Sequence, residues 1–240
     1  MARDKVQLLM KLYSYVLARD YGFAPNPFSG WCSLATCKPK IRKGASVGDW
    51  VIATGAKTKY NLAGYLVYAM RVDEAMDFTS YWNDVRFLAK RPVLNGSLKQ
   101  LYGDNIYQNR RGRWSQADSH HSCEGGERNL RNIARDTSVD RVLLSQTFVY
   151  FGSEAPVIPK RFRPYRTTGE DLCCSGQGHR VLSADIARAL EMWLRQRDQW
   201  GLQGMPLEFR NHARAHGNDE SVVALGPREK RNQNAGTLRR

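Results

Sequence analysis

The stretch Gly30–Gly55, GWCSLATCKPKIRKGASVGDWVIATG, constrains the chain most, because it fixes the order of a short helix, a basic turn and a buried strand. Trp31, Leu34 and Ala35 recur at i, i+3 and i+4, which is the spacing of one helix face. Pro39 is expected to stop that helix, since proline lacks an amide hydrogen and its ring clashes with the preceding turn. Lys38, Lys40, Arg42 and Lys43 crowd the exit. Gly48-Asp49 is a turn dipeptide. Trp50 to Thr54 then predicts a buried strand that ends at Gly55.

The rest of the chain is organised around that stretch. Met1 to Lys11 is expected to be a frayed extension. Leu12 to Ala18 alternates, with Tyr13, Tyr15 and Leu17 on one face, and predicts the first strand. Ala24-Pro25-Asn26-Pro27 makes Tyr21 to Gly30 a loop. In it Phe28, with Trp31 behind, either plugs a barrel end or stacks on a ligand. Gly64 to Val72 is apolar on both faces and predicts a central strand, and Asp77-Phe78-Thr79 opens a helix with Thr79 as its N-cap. Arg91 to Ile133 is long, polar and rich in Gly, Asn and Arg, as expected of a functional loop region folded over the mouth of a barrel. Arg141 to Phe151 is a strong β segment. Ser183 to Trp200 is the clearest helix, with Ser183 as its cap, Asp185 in its first turn and Gly201 at its end. From Glu208 the chain is polar without period and is expected to be disordered.

Composition narrows the class of partner. With 37 Lys and Arg against 23 Asp and Glu, the net charge is +14, which favours a polyanion, and nucleic acid or a nucleotide is the expected one. No apolar run is long enough to span a membrane, and the N-terminal stretch lacks a signal-peptide pattern. Five cysteines at irregular spacing do not make a disulfide framework, so a reduced cytoplasm is expected.

Several blocks resemble the nucleotide modification associated domain, second family of that name. They are Tyr13–Gly22 (YSYVLARDYG), Gly30–Gly55, Asp104–Tyr107 (DNIY), Gln116–Ser122 (QADSHHS), Asp136–Asp140 (DTSVD) and Phe148–Gly152 (FVYFG). The resemblance implies a role in making, sensing or processing modified DNA bases, in a modification or phage-conflict system. The order of strands and turns also resembles the PUA-like superfamily, whose small barrels hold bases. That second resemblance implies an α+β fold, a small PUA-like β-barrel with flanking helices. It also sets Thr54 and Lys57 at the edge of a base pocket. The expected division is a domain over residues 1–160, a helical appendage over 161–205 and a basic tail over 206–240.

The densest chemistry lies in Asp118-Ser119-His120-His121-Ser122-Cys123. Imidazole titrates near neutral pH, so Asp118, His120 and His121 are the candidate acid–base set. A polar loop that satisfies itself is the plain alternative. His120, His121 and Cys123, or Cys173, Cys174 and His179, lack the CxxC pairs of structural zinc and the HxE…PCxxC pattern of zinc deaminases, so no metal is expected. No Walker loop or dinucleotide fingerprint is present, and no cofactor is expected. Basic residues interleaved with aromatics suit backbone contact plus stacking. Lys38, Lys40, Arg42, Arg110 and Arg111 are therefore the candidate phosphate ligands, and Trp31, Trp50, Tyr107 and Trp114 the candidate base-stacking rings. Three readings stay open: a base-recognition domain, an enzyme acting on a nucleotide or base, and a scaffold that docks a partner enzyme through its 183–200 helix.

Overall fold

The structure, a computed structural model, describes residues 10–176 and 178–209. Most of the expected frayed extension and of the expected tail lie outside these residues.

The strands are β1 (Leu12–Leu17), β2 (Cys32–Leu34), β3 (Trp50–Gly55), β4 (Leu66–Arg71), β5 (Glu74–Met76), β6 (Tyr107–Arg110), β7 (Arg113–Gln116), β8 (Val142–Ser145), β9 (Phe148–Tyr150), β10 (Arg180–Leu182) and β11 (Gly201–Leu202). The helices are α1 (Pro39–Gly44), α2 (Lys57–Tyr60), α3 (Phe78–Asn83), α4 (Leu98–Leu101), α5 (Leu130–Asp136) and α6 (Ala184–Arg197). The class is α+β. One sheet has the order β10-β1-β3-β4-β9-β11, a second has β2-β8-β5, and β6-β7 is a hairpin. The β1–β3 and β9–β11 pairs are parallel and the others antiparallel.

The large sheet is open at β10 and at β11, so the expected closed barrel does not form among the described residues. The chain spends one of its strong β segments elsewhere. Residues 141–151 do not make one strand: β8 joins the small sheet and β9 the large one. Asp73 pins the corner between them, accepting from the amides of Gln146 and Thr147 at 2.8 Å each.

Side chains alternate faces along a strand, and here the alternation feeds separate cores. Leu12, Trp50, Ile52, Ala69 and Val149 face α6, which returns Ile186, Ala187, Leu190, Trp193 and Leu194. Tyr13, Tyr15, Val51, Ala53 and Tyr68 face the other way, onto Cys32, Leu34, Ile41 and Leu143. Beyond the small sheet, Val142 and Leu144 meet a third core of Phe78, Tyr81, Phe87 and Tyr107. The residues expected as an appendage thus supply β10, paired with β1, and the helix that covers one face of the sheet. Of the two expected places for the apolar stripe of α6, the domain itself or a partner, Ile186, Leu190, Trp193 and Leu194 take the first and pack on the chain's own sheet.

Three local expectations are corrected. Residues 32–34 are a strand, because three wholly buried residues can pair with β8, and the helix starts at Pro39, a residue suited to the first helical position. Asp77 rather than Thr79 caps α3, accepting from Ser80 N at 2.7 Å. Ser183 stands at the cap position of α6, but its hydroxyl donates to Glu170. The region 91–133 contains α4, the hairpin and the start of α5, and it packs on the third core.

Candidate functional site

Asp136, the last residue of α5, is wholly buried and sits at the centre of a polar cluster. A buried carboxylate needs donors on both oxygens. Its Oδ1 accepts from the backbone N–H of Cys37 at 3.0 Å and from Arg135 Nε at 3.0 Å. Its Oδ2 accepts from the Tyr107 hydroxyl at 3.0 Å and from His121 Nδ1 at 2.9 Å. Burial alone would raise this carboxyl, but the His121 and Arg135 bonds and charges outweigh it and hold the group down at about 2.

His121 is placed from both ends. Its carbonyl accepts from Gln116 Nε2 at 3.1 Å and from Asn132 Nδ2 at 2.9 Å. Its Nδ1 carries the hydrogen given to Asp136, because a carboxylate only accepts. Its Nε2 then faces the Cys37 Sγ at 3.9 Å. Burial works against the charged ring, whose side chain is 11 % exposed. The bonds to Asp136 and Cys37 and the carboxylate's charge win and push it up to about 9.

His120 is the opposite case. Its ring lies 4.5 Å from Tyr21, 5.0 Å from Tyr102 and 5.4 Å from Phe23, centroid to centroid. Its buried Nδ1 has no hydrogen-bond partner among the described residues. Burial, then the charges of His121 and Arg19, push it down to about 4. The two adjacent imidazoles therefore serve different neighbours.

Cys37 sits in a turn that its residue type does not favour. It has φ 56° and Lys38 has φ 41°, the left-handed region that costs a side chain of order 1–3 kcal/mol when the surroundings enforce it. The surroundings are specific. Arg42, wholly buried, donates from Nε to the Cys37 carbonyl at 3.0 Å and from Nη1 to the Val139 and Arg141 carbonyls at 2.8 and 2.6 Å. It also binds the Asp136 carbonyl. The Lys38 ammonium lies 4.3 Å from the centre of the Tyr15 ring. Strand β2, the strained turn and α1 thus hold the thiol half-exposed beside the imidazole.

This cluster draws on four of the sequence blocks set out above, and the comparison with known families decides what they belong to. The family model for nucleotide modification associated domain 2 matches residues 9–213. The chain belongs to that family. No curated protein and no solved structure matches it.

Within this nucleotide modification associated domain, only part of the expected site assembles. His121 and Tyr107 meet on Asp136. Asp118 does not join them: it is exposed, and its Oδ2 lies 2.4 Å from where a Cβ on Gly126 would stand. Trp50 is corrected as a base-stacking ring, because it is wholly buried on the α6 side of the large sheet, its indole N–H 3.4 Å from Glu191. Trp31 and Trp114 flank the third core instead, at 5.5 Å from Phe87 and 5.7 Å from Phe78. The four rings do not line one mouth. Arg42 is corrected as a phosphate ligand, since its guanidinium is spent on carbonyls. Thr54 is buried, whereas Lys40, Lys57, Arg110 and Arg111 are exposed. A groove of about 630 Å³ beside Phe28, Arg91 and Lys99 contains none of the expected acid–base or phosphate residues.

Sequence reasoning missed Cys37 and Asp136. They lie 84 and 15 residues from His121, so no local pattern joins them. A signal was present: the blocks of resemblance at 30–55, 104–107, 116–122 and 136–140 each contribute one member.

Proposed function

We propose that this domain is an enzyme that acts on a nucleotide or a DNA base, with His121 as its acid–base group and Asp136 as the residue that orients it. The single observation that carries the reading is the His121 ring, fixed at Nδ1 by a buried carboxylate and presenting Nε2 to the half-exposed thiol of Cys37. A base aligned by a second group is the common design of proton-transfer sites. The family's association with nucleotide modification supports a nucleotide or a base as the substrate class. The net charge of +14, with Lys40, Arg110, Arg111 and Arg135 exposed, suits a phosphate-bearing substrate. The setting is a DNA-modification or phage-conflict system. A recognition module without chemistry would need the four rings to line one pocket, and Trp50 lies in a different core from Trp31, Tyr107 and Trp114, which does not favour it.

The test is the nucleoside composition of DNA and of the free pool, by mass spectrometry, in cells with the protein, without it, and with His121→Gln. The reading expects a nucleoside whose level depends on the wild-type protein and returns to the no-protein level with the variant. A profile shared by all three cultures overturns it.

A further inference from the structure

We infer that Cys37 is a covalent nucleophile, activated by His121 and Asp136, that attacks an sp² carbon of a nucleotide substrate bearing a nitrogen or oxygen leaving group. The inference rests on the acid–base reading above and adds a reacting atom to it.

The geometry has three parts. The Cys37 Sγ lies 3.9 Å from His121 Nε2, within the looser reach of a thiol–imidazole pair without substrate. The opposite ring nitrogen is held by Asp136 at 2.9 Å, so the ring cannot turn away. The Asp136 carboxylate also grips the Cys37 backbone N–H at 3.0 Å, so one group positions both the base and the nucleophile's own peptide. Nucleophile, base and orienting carboxylate in this relation recur on unrelated folds and are recognised by roles rather than by sequence order.

The surroundings separate this thiol from the others. Cys32 and Cys173 are buried, Cys174 is partly buried with its Sγ 3.8 Å from the Ser175 carbonyl, and Cys123 is exposed with its Sγ 3.9 Å from the Arg128 carbonyl. Among the described residues, Cys37 is the cysteine with an imidazole nitrogen in reach, and Arg135 Nη2 lies 4.0 Å from its sulfur. Lys38 and the exposed Arg135 place positive charge beside the sulfur, while the buried Arg42 holds the Cys37 carbonyl from behind.

The chemistry balances without a redox partner. The Sγ–C bond forms from the sulfur anion of a Cys37–His121 ion pair, in which the proton of Sγ already rests on His121. The C–N or C–O bond to the leaving group breaks, and that group departs with the electron pair and the proton from His121. Water then adds to the same carbon, giving one proton to His121. The S–C bond breaks with its electrons returning to sulfur, and the ion pair with the protonated His121 is restored. The net change is hydrolysis, with water as the second nucleophile.

Two measurements on the full-length protein test this. The first is iodoacetamide alkylation at pH 7, followed residue by residue by mass spectrometry. Cys37 is expected to label at least about tenfold faster than the more exposed Cys123, and His121→Gln is expected to remove that advantage. Slower labelling of Cys37 than of Cys123, or a rate indifferent to His121→Gln, overturns the proposal. The second is the nucleoside profile with Cys37→Ser, a near-isosteric change whose folding is checked by its melting temperature. The proposal expects a folded Cys37→Ser protein with the profile of the culture lacking the protein. If His121→Gln loses the nucleoside change and folded Cys37→Ser keeps it, nucleophilic catalysis fails while the acid–base reading stands. If neither variant differs from wild type, both fail.

Discussion

The imidazole of His121 and the carboxylate of Asp136 form a buried pair, Nδ1 to Oδ2 2.9 Å, across 15 residues of sequence. A pair of this kind ties the hairpin side of the domain to the end of α5, and the same carboxylate reaches on to the Cys37 turn. Stability and chemistry therefore meet in one cluster, and each can be probed.

The pair makes stability depend on pH in a defined direction. His121 is raised from its ordinary 6.5 to about 9, so its contribution is complete below pH 6.5 and is lost as pH rises through about 9. The shift corresponds to at most about 3 kcal/mol over that window. Asp136 is lowered to about 2, so its contribution is complete above its ordinary value and is lost as pH falls toward 2. His120 acts in the other sense from His121. Its folded value of about 4 lies below the ordinary one, so folding loses ground as pH drops from 6.5 toward 4. Urea denaturation across pH 4 to 10 is expected to show a fall above pH 7 that is absent in His121→Gln.

Arg42 supports the site from behind. Arg42→Met strips donors from the carbonyls of Cys37, Asp136, Val139 and Arg141. A loss of about 3–5 kcal/mol is expected, since buried acceptors lose their donors and Asp136 its nearby cation. Arg42→Lys restores the charge but not the fork and is expected to recover less than half of it. An Arg42→Met protein as stable as wild type would show that the Cys37 turn holds its shape unaided.

The α6 stripe is core. Leu190→Ala is expected to cost about 2–5 kcal/mol, as for a buried leucine whose cavity does not collapse. Trp50→Ala, on the strand beneath, is expected to cost a similar amount. Thermal melts measure both. Losses below about 1 kcal/mol at the two sites would mean that α6 does not pack on the sheet as described.

Much of the frame was legible because it depends on local period. The Tyr13/Tyr15 alternation, the buried Trp50 strand and the Leu190/Leu194 stripe each survive into β1, β3 and α6. What was not legible depends on partners far along the chain. Trp31, Leu34 and Ala35 have helical spacing, yet pairing with β8 more than 100 residues away makes Cys32 to Leu34 a strand. Pro39 was a stop signal by rule and became a start, because the chain before it was already extended. The barrel failed for the same reason: no local pattern says that β8 leaves the large sheet. In the site, His121 was visible as a residue but not its carboxylate. Asp118 is near in sequence and points elsewhere, whereas Asp136 is brought in by α5.

The most direct measurement is an NMR titration of the His120 and His121 rings in wild type and in Asp136→Asn. The account predicts that His121 titrates near 9 and falls toward 6.5 in the variant, while His120 stays neutral down to about 4 in both. Two imidazoles that both titrate near 6.5, unmoved by Asp136→Asn, would contradict it.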